Sequence, residues 1–202
     1  QYNFEYLKND YNKLLSFFVS FFWTIILKSF DKVVTLTKHM SSYYLSKGVS
    51  NCYHIYNGRN VSNSEFFNSN FLNQIKTNYT ILGTTGLLIK RKGIEQIIKL
   101  LKGNNNYYFI AIGDGPEYGQ LLESAIKFNV ENRCLFIGKK DNPFEFYKYF
   151  ELFVFPTRNE GMPMSLIEAA ALNQTVVCSN IPVLTEIYSN SEVAFFDLDD
   201  IK

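Results

Sequence analysis

Two glutamates, Glu160 and Glu168, are separated by seven residues in the stretch NEGMPMSLIEAAA, with a Gly-Met-Pro turn and the start of an Ala-rich helix between them. Pro163 suits the first helical turn because its missing N–H would have had no partner there. The amides of Met164 and Ser165 then point out of the positive helix end and form a site for an anion. Because a carboxylate repels phosphate, both glutamates are better suited to accept hydrogen bonds from hydroxyl groups. A ligand with hydroxyls at both ends and phosphate between them is a nucleotide sugar.

Each glutamate also has a purely structural interpretation. An acidic side chain near a helix N-terminus, such as Glu160, stabilises the helix dipole by roughly 0.3 to 1 kcal/mol without any ligand. Glu168 fits that interpretation less well, because the helix around it is otherwise apolar and should be largely buried. Buried carboxylates are rare without partners, so Glu168 favours a binding site.

Two further loops carry residues that could meet phosphate. Lys92 ends a cationic stretch just before a helix predicted to begin near Gly93, where a lysine can reach phosphate as a point charge. A solvated basic loop explains the same stretch equally well. The turn GDGPE, residues 113–117, follows an apolar strand, and its glycines allow a ligand to approach the backbone closely. It lacks the Gly-x-Gly-x-x-Gly spacing and a following ribose acid, which disfavours a dinucleotide-binding redox domain.

Strand and helix signals alternate regularly from Tyr79 onward. The predicted apolar strands lie in YTILGTTGLLI, YYFIAIG, RCLFIG, ELFVFP, TVVCSN and EVAFF, and the segments between them, including PFEFYKYF, are predicted helices. This pattern predicts an α/β fold with a Rossmann-like doubly wound parallel sheet. Ligands bind outside the carboxyl ends of such strands, so the loops beginning at Gly83, Gly113, Gly138 and Pro156 should converge on one ligand.

The first quarter of the chain is predicted to form a separate region. The uncharged run from Leu14 to Leu27 has fourteen residues, fewer than the roughly twenty that a spanning helix needs, which predicts a buried or interfacial helix. A β-branched strand at 32–37 and a helix from His39 to about Lys47 form one β-α unit. The Asn57-Gly58 turn and the polar linker at 60–70 place a domain boundary near residue 57.

Composition limits the classes of partner. Twenty basic and nineteen acidic residues give a net charge of +1, which provides no long-range field for nucleic acid. Cys52, Cys134 and Cys178 are widely spaced, which argues against a disulfide framework or a zinc site and favours buried free thiols in a reducing compartment. The chain starts with Gln and shows no secretory signal pattern, so it is expected to begin inside a longer gene product.

At these motifs the sequence resembles the retaining GT-B glycosyltransferases of family four, also called glycosyl transferases group one. The resemblance covers about residues 31–199, and its most specific element is the spacing of Glu160 and Glu168. The segments that match in order are FDKVVTLT, IYNGRN, GLLIKRKG, IGDGPE, FIG and ELFVFPTRNEGMPMSLIEAAA followed by TVVCSN. The resemblance implies a donor-binding domain over residues 57–202, preceded in 1–56 by the last part of an acceptor domain.

The resemblance also implies a role for each site residue. Glu168 would accept hydrogen bonds from ribose hydroxyls, and Glu160 would bind the transferred sugar near the reacting carbon. Lys92 would neutralise the departing diphosphate, so Glu160 and Lys92 are the catalytic candidates. The donor-binding candidates are Gly86, Lys92, Gly113, Gly138, Lys139, Glu160, Gly161, Met162, Met164, Ser165 and Glu168.

By the same resemblance, no cofactor beyond the nucleotide-sugar co-substrate and no metal are expected, although the sequence contains one Asp-x-Asp run, Asp197-Leu198-Asp199, near its end. Two features depart from the family pattern. Leu87 stands where many members have arginine, so a second phosphate cation is missing, and Lys90 or Arg91 could replace it. The first domain is represented only by its last part and the chain also ends early, so we expect a fragment that binds donor weakly and does not transfer sugar.

These features together predict transfer of a hexose from a nucleotide-sugar donor to a glycan or lipid-linked acceptor, with retention of configuration. Two alternatives stay open, a non-catalytic nucleotide-sugar-binding subunit and a GT-B-like nucleotide-sugar epimerase. The epimerase would need an acid–base pair for which the sequence offers no candidate. The expected location is the cytoplasm, with peripheral contact to the inner face of the membrane through residues 14–27 as a further hypothesis.

Overall fold

The computed structural model describes residues 12–61 and 68–199, which fall into two compact units. The first unit comprises Gln1–Gly58, Asn159–Pro163 and Ile181–Ser189. The second unit comprises Arg59–Arg158, Met164–Asn180 and Asn190–Lys202. Most of the predicted linker, at residues 62–67, lies outside the described residues. The assignment of acceptor and donor roles to parts of the chain stays a prediction.

In its described residues, the first unit contains a two-stranded parallel sheet and three helices. Its elements are α1 Lys13–Lys28, β1 Val33–Thr35, α2 Lys38–Ser46, β2 Cys52–His54 and a helix Pro182–Ile187, which is α7 in chain order. Val33 pairs with Cys52 in the sheet. A small core of Leu27, Val33, Tyr44, Val49 and Cys52 lies between the sheet and the helices. The predicted β-α unit is therefore present, with a shorter strand and a helix that begins one residue earlier.

Helix α1 is not buried, which excludes one of its two predicted alternatives, while the interfacial one stays a prediction. Its buried residues are Ser16, Ser20 and Leu27, and the Ser16 hydroxyl donates to the Asn12 carbonyl at 2.9 Å. The exposed large side chains of α1 are Leu14, Leu15, Phe17, Phe18, Phe21, Phe22, Ile25 and Ile26. Because serines occupy the inward positions, the large apolar side chains lie on the outward faces. Among the described residues, no helix is both long enough and apolar enough to cross a bilayer.

Glu186 on α7 caps the N-terminus of α2. Its carboxylate oxygens accept hydrogen bonds from the backbone N–H of Lys38 at 2.6 Å and of His39 at 2.7 Å, and the Tyr56 hydroxyl donates to it at 2.9 Å. The first amides of a helix have no partner within the helix, and a carboxylate there also meets the positive end of the dipole. Burial alone raises the pKa of Glu186, but these hydrogen bonds outweigh it and hold the pKa below its ordinary value.

Replacement of Glu186 by alanine is expected to lower the free energy of unfolding of the first unit by about 1 kcal/mol at pH 7, because α2 loses its capping carboxylate. Trp23 is the only tryptophan of the chain and lies on α1. Its fluorescence during urea denaturation therefore reports the first unit.

The effect of this Glu186→Ala change should depend on pH. The pKa of Glu186 is lower in the folded than in the unfolded chain, so its stabilisation is complete above the ordinary value of 4.5 and is lost as pH falls through the folded value. The difference between the native and variant chains should shrink in acid. A constant difference from pH 7 to pH 3 would contradict the capping role, and the exposed Glu123→Ala is the control.

Six parallel strands form the sheet of the second unit. They are β3 Thr80–Thr85, β4 Tyr107–Ile112, β5 Cys134–Gly138, β6 Leu152–Phe155, β7 Val176–Ser179 and β8 Ala194–Phe196. Their order is β5-β4-β3-β6-β7-β8, and each neighbouring pair is parallel. The order reverses at β3, so β3 and β6 begin the two halves of a doubly wound sheet. The predicted Rossmann-like fold is confirmed.

In the described part of the second unit, four α-helices and three 3-10 helices accompany the sheet. The α-helices are α3 Asn70–Asn78, α4 Glu95–Gly103, α5 Tyr118–Lys127 and α6 Met164–Ala171, and the 3-10 helices span Lys90–Lys92, Glu131–Arg133 and Pro143–Tyr149. The main core joins α4 and α5 to β3 and β4, with Leu82, Ile98, Phe109 and Ala125 fully buried. These helices fix the strand ends from which the loops emerge.

One helical prediction needs correction, and a second is confirmed with its start two residues later. The segment PFEFYKYF forms a 3-10 helix, Pro143–Tyr149, in which Phe144, Phe146, Tyr147 and Tyr149 are all buried. A single face of an α-helix could not bury four aromatic side chains within seven residues, whereas the irregular turn does. The helix expected near Gly93 begins at Glu95, since Gly93 adopts φ 66° and ends the preceding 3-10 turn.

The three cysteines are free thiols, with Cys52 and Cys178 buried and Cys134 half-buried. Burial raises the pKa of Cys134 and of Cys178 to about 12. Since the thiolate is the reactive form, these two side chains act as small core residues.

Candidate functional site

A cavity of about 560 Å³ lies in the second unit, at the carboxyl ends of β3, β4 and β5. The strand ends contribute Thr85 and Ile112, and the loops that follow the strands supply most of the wall. The complete lining is Arg59, Thr85, Gly86, Leu87, Ile112, Gly113, Asp114, Gly115, Lys139, Lys140, Asp141, Pro143, Ser165 and Glu168. A doubly wound sheet places its ligand at this edge.

The cavity brings together part of the predicted site. Gly86, Gly113, Lys139, Ser165 and Glu168 line it, although they come from four separate segments. Lys92, Gly138 and Met164 belong to the second unit but are not among the lining residues found in the described part of the chain. Glu160, Gly161 and Met162 belong to the first unit.

Backbone hydrogen bonds connect the loops after β3, β4 and β5. The Gly113 amide donates to the Gly138 carbonyl at 3.0 Å, and the Gly86 amide donates to the Ile112 carbonyl at 2.9 Å. Leu88 N–H donates to the Asp114 carbonyl at 2.9 Å in the same way. Because these bonds join one loop to the next, the three loops form a continuous and ordered wall of the cavity.

Glu168 is the most deeply placed charge in the cavity. It lies on α6 with 6% of its surface exposed, so the prediction that this carboxylate is buried is confirmed. Its Oε1 lies 2.7 Å from Arg59 Nε. Burial raises the pKa of Glu168, and the Arg59 charge opposes that rise. A buried carboxylate beside a single cation can remain an acceptor for ligand hydroxyls.

Arg59 was not among the residues predicted for the site. It follows the Asn57-Gly58 turn at the start of a polar segment that the sequence indicates only as a linker. The available signal was indirect, since a carboxylate buried on an apolar helix needs a cation or donors nearby. Neither Lys90 nor Arg91, the predicted replacements for the missing phosphate cation, lines the cavity in the described structure, whereas Arg59 does.

Lys92 lies at the end of the 3-10 turn Lys90–Lys92. Its Nζ stands 4.7 Å from the centroid of the Phe155 ring, within range of a cation–π interaction. A Cβ built on Gly86 would lie 4.0 Å from Lys92 Cε, so the stem of Lys92 passes close to a cavity-lining residue. Lys92 therefore lies near the wall of the cavity and is held against an aromatic ring.

Glu160 is buried, with 7% of its surface exposed. Two residues earlier in the chain, the Arg158 amide donates to the Arg91 carbonyl at 2.8 Å. The Arg158 guanidinium also binds Glu95 at 2.9 Å and both oxygens of Asp199 at 2.8 and 2.9 Å. These contacts fix the end of the segment that leads to Glu160, while its function as a sugar-binding residue stays a prediction.

The cavity carries charges of both signs. Its lining includes three cationic side chains, Arg59, Lys139 and Lys140, and three acidic ones, Asp114, Asp141 and Glu168. Within residues 12–61 and 68–199, no group of three or more His, Cys, Asp or Glu side chains is placed to hold a metal ion. The cavity can therefore offer a ligand charged side chains of both signs, backbone amides that donate hydrogen bonds, and carboxylates that accept hydrogen bonds from hydroxyl groups.

Several solved structures share this fold. HepE of Anabaena, determined with UDP-glucose, superposes with a TM-score of 0.78 at 17% identity over 93% of this chain and 55% of its own. A TarM variant from Staphylococcus aureus, determined with UDP among its ligands, gives 0.75 at 20% identity over 91% of this chain and 37% of its own. The fold is therefore that of a GT-B glycosyltransferase domain.

The chain belongs to the family of glycosyl transferases group 1, whose sequence model matches residues 66–197. The O-antigen biosynthesis glycosyltransferase WclY of Escherichia coli is 28% identical over 199 residues, covering 96% of this chain and 56% of WclY. The capsular polysaccharide biosynthesis glycosyltransferase CapM of Staphylococcus aureus is 30% identical over 120 residues, covering 57% of this chain and 32% of CapM. The chain spans about half the length of the curated relatives it matches.

Proposed function

We propose that this chain supplies the donor-binding part of a glycosyltransferase for polysaccharide biosynthesis, with a nucleotide sugar as its donor. The observation that carries the proposal is the cavity, which gathers Gly86, Gly113, Lys139, Ser165 and Glu168 at the strand ends. The family match over residues 66–197 and the polysaccharide-related names of the relatives support it.

In this proposal the ligand is held by three kinds of contact. Glu168 accepts hydrogen bonds from the ribose hydroxyls, and Lys139 lies near the base. The diphosphate faces the backbone of the Gly86 and Gly113 loops, where the absence of side chains allows close approach. Ser165 belongs to the first turn of α6, whose N-terminal amides carry a partial positive charge that favours the diphosphate.

The proposed chemistry follows from the charges that develop in the reaction. As the sugar–phosphate bond breaks, positive charge grows on the sugar ring and negative charge on the diphosphate. We propose that Lys92 and the N-terminus of α6 stabilise the leaving diphosphate, so that no metal is needed. Glu160, four residues before α6 in the chain, is proposed to bind the hydroxyls of the transferred sugar and stabilise its charge.

The finer features of the reaction are also proposals. We propose that a hexose is transferred with retention of configuration, and that the acceptor is a glycan or a lipid-linked sugar. The names of the relatives, O-antigen and capsular polysaccharide glycosyltransferases, support a glycan acceptor. HepE and TarM were determined with UDP-containing ligands, which makes UDP the first nucleotide to test.

Calorimetric titration tests the proposal directly. UDP, GDP and ADP are titrated into the 202-residue chain, each beside a matching sugar conjugate. The expected result is selective binding of one nucleotide together with its conjugate. Absence of binding to all six ligands would refute a donor site in this chain. Binding of every nucleotide with equal affinity would indicate a general phosphate site instead.

Replacement of Glu160 by glutamine separates the sugar contact from the nucleotide contact. The variant is expected to bind the nucleotide sugar about tenfold more weakly, because a charge-assisted hydrogen bond to a sugar hydroxyl is lost. Binding of the free nucleoside diphosphate should change less than about twofold, since no contact to it is removed. Both affinities come from the same titration series. Equal losses for the two ligands would refute the role assigned to Glu160.

A further inference from the structure

The ion pair between Arg59 and Glu168 is held from two sides. Arg59 Nε lies 2.7 Å from Glu168 Oε1, and the Glu168 side chain is 8% exposed while that of Arg59 is 50% exposed. The guanidinium carbon of Arg59 also stands 5.7 Å from the centroid of the Phe144 ring. Phe144 belongs to the 3-10 helix Pro143–Tyr149, so an aromatic ring and a carboxylate together define the position of Arg59.

The contact measured between the two side chains joins Arg59 Nε to Oε1 of Glu168, and the Arg59 charge opposes the effect of burial on the carboxyl. Glu168 lines the cavity, so its carboxylate can be reached by a ligand bound there. The planar guanidinium of arginine can contact a carboxylate and an aromatic ring together, whereas a lysine ammonium is a compact point charge.

The remaining charged groups around Glu168 are not paired with it. Asp114, Lys139, Lys140 and Asp141 line the same cavity from the loops after β4 and β5. Tyr147, on the 3-10 helix, has its pKa raised by burial and further by the Glu168 charge, and its hydroxyl lies 2.7 Å from Thr85 Oγ1. Arg59 is thus the group that opposes protonation of the buried carboxyl.

We propose that Arg59 is a positioning residue of the donor site, which keeps the Glu168 carboxylate charged and in place so that it accepts a hydrogen bond from a ribose hydroxyl. The inference rests on the proposed function and adds a residue to it. Arg59 acts through Glu168 and needs no direct contact with the nucleotide. Removal of Arg59 should therefore weaken nucleotide binding in the chain that has Glu168. It should have little effect in a chain where Glu168 is already replaced.

The test is the pH profile of UDP affinity for the 202-residue chain and its variants. Arg59→Leu is expected to bind UDP about tenfold more weakly at pH 6.5, with partial recovery in Arg59→Lys. Affinity falls in acid as Glu168 takes up a proton, and loss of the neighbouring cation makes that happen at higher pH. The acid limb of the profile, which is the pH range where UDP affinity falls as pH decreases, should therefore lie at higher pH in Arg59→Leu. In a Glu168→Gln background, Arg59→Leu should cause less than about a twofold further loss.

Lys140→Leu is the matched control, because it removes a different cation from the cavity lining. Among the described residues, Lys140 forms no ion pair with Glu168. This variant should leave the acid limb in place. An unmoved acid limb in Arg59→Leu, or an equal loss with and without Glu168, would overturn the positioning role and indicate a direct phosphate contact or a purely structural one.

A second measurement does not depend on any ligand. Carbon-13 NMR follows the titration of the Glu168 carboxyl in the ligand-free chain, with Glu168→Gln identifying the signal. In Arg59→Leu this carboxyl should titrate at higher pH than in the native chain. An unchanged Glu168 titration would reject the role of Arg59. Failure of the native chain to bind any nucleotide would instead reject the proposed function, so the two failures are distinguishable.

Discussion

Glu168→Gln is expected to bind UDP and its sugar conjugate about 10- to 100-fold more weakly than the native chain, with equal losses for both ligands. The substitution keeps the size and shape of the side chain but removes its charge. Charge-assisted hydrogen bonds to the ribose hydroxyls are then replaced by weaker neutral ones. It also leaves Arg59, whose Nε lies 2.7 Å from Glu168 Oε1, without its counter-ion. Both effects act on the nucleotide part, which the two ligands share.

The opposite outcome has a clear physical meaning. If the carboxylate only repelled the diphosphate, its neutralisation would strengthen binding. Unchanged or tighter binding by Glu168→Gln would therefore refute the ribose contact. Asp141→Asn is the control, because it removes one negative charge from the same cavity lining at an exposed position. We expect less than about a threefold change for Asp141→Asn, since exposed charges are screened.

The strands of the second unit could be predicted because each signal was local and strong. In β4, five of six residues are buried, and the continuous apolar run YYFIAI indicates a strand covered on both faces. The burial of Glu168 also followed from its apolar neighbours on α6. Both are properties of adjacent residues and need no knowledge of the tertiary structure.

Helix α3, Asn70–Asn78, was not predicted, because its signal is short. Only Leu72 and Ile75 are buried along its nine residues, although the Ser69 side chain caps its N-terminus. Two inward residues do not establish a helical period. The inward positions of α1 are occupied by Ser16, Ser20 and Leu27, so its buried face is not marked by a stripe of apolar residues. The orientation of α1 therefore could not be predicted from its composition.

Arg59 was missed for a different reason. It lies more than a hundred positions before Glu168 in the chain, and its own neighbours, Gly58 and Asn60, indicate only a turn. The contact exists because Arg59 lies at the same cavity as the loops that follow the strands of the second unit. Pairings across such separations are set by topology, so the sequence showed that Glu168 needed a partner without showing which one.

Gly113→Ala is expected to lower the free energy of unfolding by about 3–5 kcal/mol, the largest effect on stability that we predict. Gly113 has φ 149°, which side chains rarely adopt, and a Cβ there would overlap the Gly86 carbonyl oxygen. That atom belongs to the backbone and cannot turn aside as a side chain would. The loops after β3 and β4 would have to separate, which breaks the wall of the cavity. Far-UV circular dichroism during urea denaturation measures the change.

Two other glycines separate the causes of this loss. Gly138 has φ 80° but open space for a Cβ, so Gly138→Ala carries strain alone and should cost about 1–2 kcal/mol. Gly119 lies on α5 with neither strain nor a neighbour within 4 Å. Gly119→Ala should stabilise the helix by about 0.5–1 kcal/mol. If Gly113→Ala cost no more than Gly138→Ala, the close approach of the two loops would not be a constraint, and the cavity wall would be flexible there. A cost well above it would mean that the backbone contact itself holds the loops after β3 and β4 in register.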